Sequence, residues 1–408
     1  MRRTVLFLFL IVAFSGQVLA LTWEEAVARA EEKSHDLISA QKDLESSEWS
    51  YRKAISAFLP QLSASAGMTE TLNSTNSADS KSYSYGVNAT QYLFKGTEGI
   101  YGIQSAYANV EYKKAGLQAA RASVLYDLRS AFIDLLYAQE NIVLSEKILK
   151  QREQNSRLIQ LRYESGKEDK GNLMTTQADE AQAKYDLSSA ERDLKLARLK
   201  LSQLLLSDVA EVEGSDGLEA PAEPVFDELL ETAPSYVTAK KQLEIAELSQ
   251  KASISGFLPS LSLSGNIRKK GSEWPPDEDS KSWSFNLSYP FFPGGGNIAD
   301  RAIAGADLDQ AREEFDKGIK DLRYSLEESF ESFRGALDSL EISRISLAAA
   351  EERSKITNVK YLNGLTGYDE WYRIENAYIQ AQKQLLSSKR SALLSEAAWH
   401  KSYGGYVQ

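Results

Sequence analysis

The stretch AFLPQL at residues 57–62 returns as GFLPSL at residues 256–261, 199 residues later. Two further stretches return in the same order at an offset of 198: LFKG at 93–96 as FFPG at 291–294, and YESG at 163–166 as YLNG at 361–364. Three landmarks in one order at a nearly constant offset indicate a tandem duplication. The fold is therefore expected to be built from one unit of roughly 190 residues that the chain uses twice.

The duplication sets the predicted domain boundaries. We expect a first repeat over residues 21–210 and a second repeat over residues 225–408. Residues 211–224 are acidic and interrupted by Gly and Pro, which predicts a linker. Residues 1–20 contain two arginines, an apolar run and small residues at their end, which is typical of a secretory signal peptide and too short for a membrane-spanning helix.

The composition of the 408-residue chain excludes several classes of protein. It contains no Cys, which rules out disulfides, thiolate metal sites and a lipid anchor on Cys, and its two His leave little for a metal site or a Ser-His-Asp triad. The net charge of −11 argues against nucleic acid as a partner. No phosphate-binding loop and no catalytic constellation is evident. We therefore expect no enzyme activity, no cofactor and no metal.

Two segments in each repeat alternate apolar and polar residues, which predicts half-buried β-strands. The predicted strands cover residues 62–72, 83–93, 260–268 and 282–292. Their apolar faces carry aromatic residues suited to a girdle against lipid: Tyr83, Tyr85, Trp283, Phe285 and Tyr289. A small soluble sheet that covers a core is the alternative.

Sustained heptad patterns predict long coiled-coil helices in both repeats. Each repeat is expected to hold a helix before its strands (22–56, 226–255), a long helix after them (97–162, 297–360) and a return helix (172–206, 368–403). The first long helix would span about 99 Å, close to the about 105 Å of its two shorter neighbours placed end to end. An ordinary helical bundle is the alternative, although helices of this length are rare in globular proteins.

The predicted strands of one chain cannot form a closed barrel. Four strands leave two edges that only closure can satisfy in lipid, so copies of the chain must pool their strands. Two copies would give a barrel filled by side chains, whereas three would give twelve strands around an open lumen. A conduit favours three copies. The predicted fold is then mainly α with a β-barrel portion, a trimeric tunnel of twelve strands and twelve stacked helices.

At this level of detail the chain resembles the TolC family of trimeric outer-membrane efflux proteins. The resemblance covers the whole mature chain and depends on the duplication and on several motifs. These motifs are the Phe-Leu-Pro entry to the strands, the exit Gln91-Tyr92-Leu93-Phe94, the turn Arg162–Gly166, and Leu173-Met174 with Gln177 beyond it. The resemblance implies a homotrimer in the outer membrane that crosses the periplasm and works with a periplasmic adaptor and an inner-membrane pump.

The family narrows its tunnel at the periplasmic helix turns with a Tyr and an Arg that bond an Asp. By this resemblance the Tyr is Tyr361, but the Arg position holds Thr366 and the Asp position holds Asn172, so a charge-assisted lock is not available there. A tip-proximal acidic position matches Glu370, while the second holds Arg373. A Glu370–Arg373 pair, within or between copies, is a candidate replacement. A solvated pair on one helix face is the alternative.

The same resemblance identifies the two helix turns as candidate docking tips for the adaptor. The candidate residues are Gly166, Lys167, Glu168, Asp169 and Lys170 in the first turn, and Gly364, Leu365 and Gly367 in the second. The charged first turn predicts a salt-sensitive contact. An exposed charged loop without a role is the alternative.

Three functional alternatives follow from the sequence. The favoured one is an outer-membrane exit duct for efflux or type I secretion. The others are a periplasmic coiled-coil structural protein that never enters a membrane and a constitutively open porin. The exported substrate does not follow from the sequence, because net charge does not show where charge lies.

Overall fold

The computed structural model describes residues 20–71, 80–214, 218 and 220–406. The predicted signal peptide therefore lies outside the described residues except for Ala20. The first repeat contains, in order, α1 (Trp23–Lys33), α2 (His35–Ser56), β1 (Gln61–Thr71), β2 (Ser80–Lys95), α3 (Glu98–Glu164) and α4 (Lys170–Leu205). No described helix is both long enough and apolar enough to cross a bilayer.

The second repeat has the same order of elements. It contains α5 (Phe226–Thr232), α6 (Pro234–Ala252), a 3-10 turn (Ser253–Phe257), β3 (Ser260–Gly271), β4 (Glu278–Ser288), α7 (Gly296–Leu362) and α8 (Tyr368–Ser402). The long helices α3 and α7 have 67 residues each and begin 198 positions apart. The duplication of the sequence is therefore also a duplication of the structure.

The helix before the strands is broken in both repeats, so the single helices predicted over 22–56 and 226–255 are wrong. In the first repeat Ser34 is extended, and its hydroxyl accepts a hydrogen bond from the Leu37 amide at 3.5 Å to begin α2. In the second repeat Ala233 is extended before Pro234, as the residue before a proline tends to be. The two breaks occupy equivalent positions, so the break is a shared feature of the two repeats.

The four strands form one antiparallel sheet in the order β1-β2-β3-β4. Residues paired across neighbouring strands share a face, and the predicted apolar residues lie on one face while Ser, Asn and Thr lie on the other. The structure differs from the prediction at the end of β4, which stops at Ser288 rather than residue 292. Ser288 lies opposite Ser260, the first residue of β3, so the chain beyond it has no neighbouring strand.

The helices pack along α3, with the shorter helices of the first repeat in line beside it. Asp43 of α2 pairs with Lys113 near the beginning of α3, and Lys200 of α4 pairs with Asp134 farther along. Two shorter helices therefore accompany one long helix, as their lengths predict. The largest buried cluster joins α1, α3 and α4 and centres on Phe132, whose ring meets Trp23 edge to face at 5.7 Å.

Candidate gating site at the helix turns

The two helix turns at the end remote from the sheet have the same backbone geometry. Lys167 donates its amide proton to the carbonyl of Arg162 at 2.8 Å, and Leu365 donates to Lys360 at the same distance. Gly166 and Gly364 precede these donors with φ values of +71° and +73°. A positive φ is strained for residues with a side chain, so glycine at these two positions lets each long helix reverse tightly.

Tyr361 links the second turn to the first. Its side chain is only 1% exposed, and its ring stacks on Trp371 with a centroid distance of 4.8 Å. The guanidinium carbon of Arg162 lies 4.4 Å from the ring centroid, which is a cation–π contact. The Tyr361 hydroxyl donates a hydrogen bond of 2.5 Å to the carboxylate of Glu168. A side chain of the second repeat is therefore held by two residues of the first.

Glu168 is the centre of this cluster. One carboxylate oxygen accepts from Tyr361, and the other accepts from the side-chain amide of Asn172 at 2.9 Å. The guanidinium Nε of Arg162 lies 3.7 Å from the first oxygen. The side chain of Glu168 is mostly buried, so its charge is compensated by one cation and two hydrogen-bond donors. We call Arg162, Glu168 and Tyr361 the tip cluster.

Tyr361 and Tyr368 remain neutral donors. Burial raises the pKa of Tyr361 well above its usual range, and its hydrogen bond to Glu168 acts in the same direction. Burial also raises the pKa of Tyr368, whose hydroxyl lies 3.5 Å from the carbonyl of Asn172. Tyr368 in turn stacks on Tyr372 at 5.4 Å. An aromatic layer therefore packs behind the hydrogen bonds that join the two turns.

The residues aligned with the family's lock do not bond one another directly. Asn172 contacts Tyr361 only through Glu168, and Thr366 donates to the carboxylate of Glu370 at 2.7 Å. Arg373 is exposed, and within the part of the chain described here it forms no ion pair with Glu370. The Glu370–Arg373 pair is therefore not formed within the chain, where Thr366 is the hydrogen-bond donor to Glu370.

The sequence predicted Glu168 as a docking residue and Arg162 only as part of a turn motif. It did not identify either residue as a partner of Tyr361. The charge absent from position 172 is present four residues earlier, at Glu168. Glu168 lies before the cap of α4 and outside the helix, so helical spacing gives no signal for its bond to Asn172. The contact with Tyr361 spans 193 residues and has no local pattern.

The remaining candidate docking residues lie on the outer surface of the turns. Asp169 caps α4 by accepting a hydrogen bond from the Asn172 amide at 2.9 Å. Lys167 and Lys170 are exposed, and Leu365 is 75% exposed. The first turn thus exposes charged side chains, whereas the second exposes the apolar side chain of Leu365.

The candidate girdle residues do not form a single ring on the sheet. Tyr83 and Tyr85 lie near the loop end of β2, where both contact Trp274. Trp283 and Phe285 lie opposite Gly265 and Leu263, nearer the helices. Tyr289 lies beyond the end of β4. The four aromatic residues within β2 and β4 therefore lie at more than one height on the apolar face.

One family model matches both repeats of the chain. The model of the outer membrane efflux protein family matches residues 26–205 and again residues 225–405, once for each repeat. The outer membrane efflux protein BepC of Brucella suis is 21% identical over 395 residues, which cover 93% of this chain and 86% of the relative. The outer membrane protein TolC of Vibrio cholerae is 24% identical over 371 residues, which cover 83% of this chain and 82% of the relative.

Solved structures share the fold at lower sequence identity. A crystal structure of CusC matches with a TM-score of 0.86 at 18% identity and covers 94% of this chain and 92% of its own. The open-state MtrE outer membrane channel of Neisseria gonorrhoeae matches with a TM-score of 0.84 at 19% identity and covers 94% of this chain and 89% of its own. The chain belongs to the outer membrane efflux protein family, which confirms the resemblance drawn from the sequence, the outer-membrane localisation and the exclusion of an enzyme.

Proposed function

We propose that three copies of the chain form an exit duct that crosses the outer membrane and the periplasm. The observation that carries the proposal is a four-stranded sheet with one apolar face and two free edges, placed at one end of long helices. Because the number of strands is even, β4 of one copy runs antiparallel to β1 of the next. Three copies would close twelve strands around a lumen.

The helices supply the length that a periplasmic duct needs. At about 1.5 Å per residue, α3 and α7 would extend about 100 Å from the sheet. A simple porin needs no such extension. The exposed lysines of the first turn and Leu365 of the second then lie at the far end of the duct, available to a periplasmic adaptor. Energy would come from an inner-membrane pump coupled through that adaptor, since the duct itself does no chemistry.

The tip cluster is the proposed resting lock of the duct. The bond from Tyr361 to Glu168 ties the second helical hairpin to the first, and Arg162 compensates the charge of Glu168. In this proposal Glu168 takes the role that the resemblance gave to the position of Asn172. Movement of the second hairpin away from the first would have to break this bond and expose the aromatic layer behind it.

Electron microscopy of the detergent-extracted protein, with its mass from light scattering, tests the proposal. We expect a tapered particle with three times the mass of one chain and a body of about 100 Å beyond the detergent belt. A soluble rod without a belt would overturn the proposal in favour of a periplasmic structural protein. A trimer whose conductance never closes, whatever the tip sequence, would favour an open porin.

A further inference from the structure

The polar face of the sheet carries few charged side chains. On this face β1 contributes Ser, Thr and Gly together with Gln61, and β4 contributes Ser and Asn together with Glu278. The charged residues that β2 and β3 place on the same face are Lys95, Arg268 and Lys270. These four residues of the described strands therefore carry the charge of the face that the proposed duct turns toward its lumen.

Three of the four charges have a neighbour of opposite sign. Lys95 lies at the helical end of β2, where its ammonium nitrogen is 3.3 Å from a carboxylate oxygen of Glu98. Lys270 and Glu278 lie opposite each other at the loop end of the sheet, in the register of β3 and β4. Arg268 is left over, and it forms no ion pair with any residue that the structure describes. The polar face thus has one uncompensated positive charge in each copy.

Arg268 lies between two positions that have no large side chain. Its partner on β2 is Gly86, and its partner on β4 is Ser280. The strands approach so closely that a Cβ atom at Gly86 would lie 2.5 Å from the carbonyl oxygen of Ile267 and 3.0 Å from the Cβ atom of Arg268. Glycine at position 86 therefore leaves free the space beside Arg268, whose side chain is exposed.

Two cations on the opposite face of the sheet are paired across the strands. Lys81 of β2 lies 3.2 Å from Glu70 of β1, and Lys269 of β3 lies 3.4 Å from Asp279 of β4. Cross-strand pairs of opposite charge stabilise a sheet. Arg268 takes part in no such pair, so the stability of the sheet does not account for its charge.

The second repeat alone carries this charge. The offset of 199 between the first strands of the two repeats relates Arg268 to Thr69. Thr69 also belongs to the polar face, where it lies opposite Ser82. A duct of three copies therefore contains three of these arginines, which its symmetry places at one height in the barrel.

We infer that three copies of Arg268 form a ring of positive charge near the outer mouth of the barrel, and that this ring makes the duct favour anionic solutes. The ring rests on the proposed function, a trimeric duct, and adds to it a preference for one class of solute. Arg268 is about 10 Å along β3 from the strand's end at Gly271. Rings of Arg or Lys are a means by which pores select anions. The sign of this local charge is opposite to that of the whole chain, whose net charge is −11.

The width of the barrel determines how strongly the ring acts. Twelve strands about 4.8 Å apart and tilted by about 40° close a barrel with a backbone radius of about 12 Å. The three guanidinium groups project inward from this wall and so lie within about 10 Å of the axis. At 0.1 M salt the Debye length is about 10 Å, so the ring should raise the ratio of monovalent anions to cations at the axis by about 5-fold.

Reversal potentials in planar bilayers test the selectivity. In a KCl gradient near about 0.1 M we expect Arg268→Gln to lower the permeability ratio of chloride to potassium by about 5-fold, and Arg268→Glu to lower it further. Both differences should vanish near about 1 M KCl, where the Debye length is about 3 Å. Lys281→Gln is the matched control, because it removes the same charge from the apolar face, opposite Ile267. The control should keep the permeability ratio of the wild type.

Charged thiol reagents test the ring from the outer mouth, whether or not the tips are open. The chain has no cysteine, so Ser280→Cys places a single thiol opposite Arg268. Methanethiosulfonates that carry a sulfonate or a trimethylammonium group react with this thiol, and the ratio of the two rates measures the local potential. We expect the ratio of the sulfonate rate to the trimethylammonium rate to fall by about 5-fold when Arg268→Gln is added, and to change less when Lys281→Gln is added.

The outcomes separate the charged ring from the duct. Equal permeability ratios for the wild type and Arg268→Gln in a conducting trimer would overturn the ring and leave the proposed duct intact. An effect of Lys281→Gln as large as that of Arg268→Gln would also overturn it, because selectivity would then follow total charge. A protein that is monomeric by light scattering, or that never conducts in its wild-type or Glu168→Ala form, would refute the duct itself.

Discussion

The tip cluster makes a quantitative prediction for the Glu168→Ala variant. This change removes the acceptor of the Tyr361 hydroxyl and the counter-charge of Arg162. A hydrogen bond to a charged group contributes about 1.5–3 kcal/mol, so the equilibrium between docked and undocked turns should shift by about 10- to 150-fold in each copy. Glu168→Gln keeps a neutral acceptor and should shift it by only about 5-fold.

Single-channel recording in planar bilayers measures the shift as the fraction of time that the duct conducts. The matched control is Glu164→Ala, which removes the same charge from the same turn but only from an exposed hydrogen bond with Gln160. We expect the control to behave like the wild type. Equal open fractions for Glu168→Ala and the wild type would refute the lock.

A double-mutant cycle shows whether the two side chains act through one bond. Tyr361→Phe removes only the hydroxyl and leaves the ring stacked on Trp371. If the hydrogen bond is the lock, the double variant Tyr361→Phe with Glu168→Ala should open hardly more than Glu168→Ala alone. Fully additive effects of the two substitutions would mean that they act independently, and the reasoning would fail.

Three further predictions concern stability and are measured on the purified protein. Gly364→Ala, at a φ of +73°, should cost about 1–2 kcal/mol by urea unfolding, whereas Gly367→Ala, at −82°, should cost less. Asp169→Ala should cost about 1 kcal/mol of local stability and speed hydrogen exchange at the Asn172 amide about 5-fold. Burial and the positive charge of Arg129 lower the pKa of His400 in the folded chain. As the pH falls through about 6.5, the His400 imidazole is protonated more readily in the unfolded chain, and the folded state loses stability. His400→Gln should therefore reduce the fall in melting temperature on acidification.

The periodic features of the chain could be predicted because they depend on local pattern. The heptad of α3 places Leu128 and Leu135 in the core, and both are almost fully buried. Ala183 and Ala190 of the return helix are buried in the same way. Each of these positions recurs every seven residues, so a sequence window of three or four turns contains the information needed to identify it.

Features that depend on distant partners could not be predicted. The end of β4 at Ser288 is set by where β3 begins, and the partner of Tyr361 lies in the other repeat. The break at Ser34 is local, but a serine within a helical pattern does not by itself show that its hydroxyl caps a new helix. Sequence pattern therefore predicts the helices and strands, whereas the contact between Tyr361 and Glu168 can be identified only when the positions of the helices in space are known.

The duplication also predicts that contacts at the tips differ in strength, depending on whether they join the two hairpins of one chain or two neighbouring copies. If neighbouring copies of the proposed trimer meet as the two repeats do, the offset of 198 places Tyr163 of the next copy and Thr366 where Tyr361 and Glu168 lie within one chain. In the single chain Tyr163 is 40% exposed, whereas Tyr361 is buried. A contact between two neutral hydroxyls is weaker than one to a carboxylate. At the tips, the seams between copies should therefore separate before the two hairpins of one chain do.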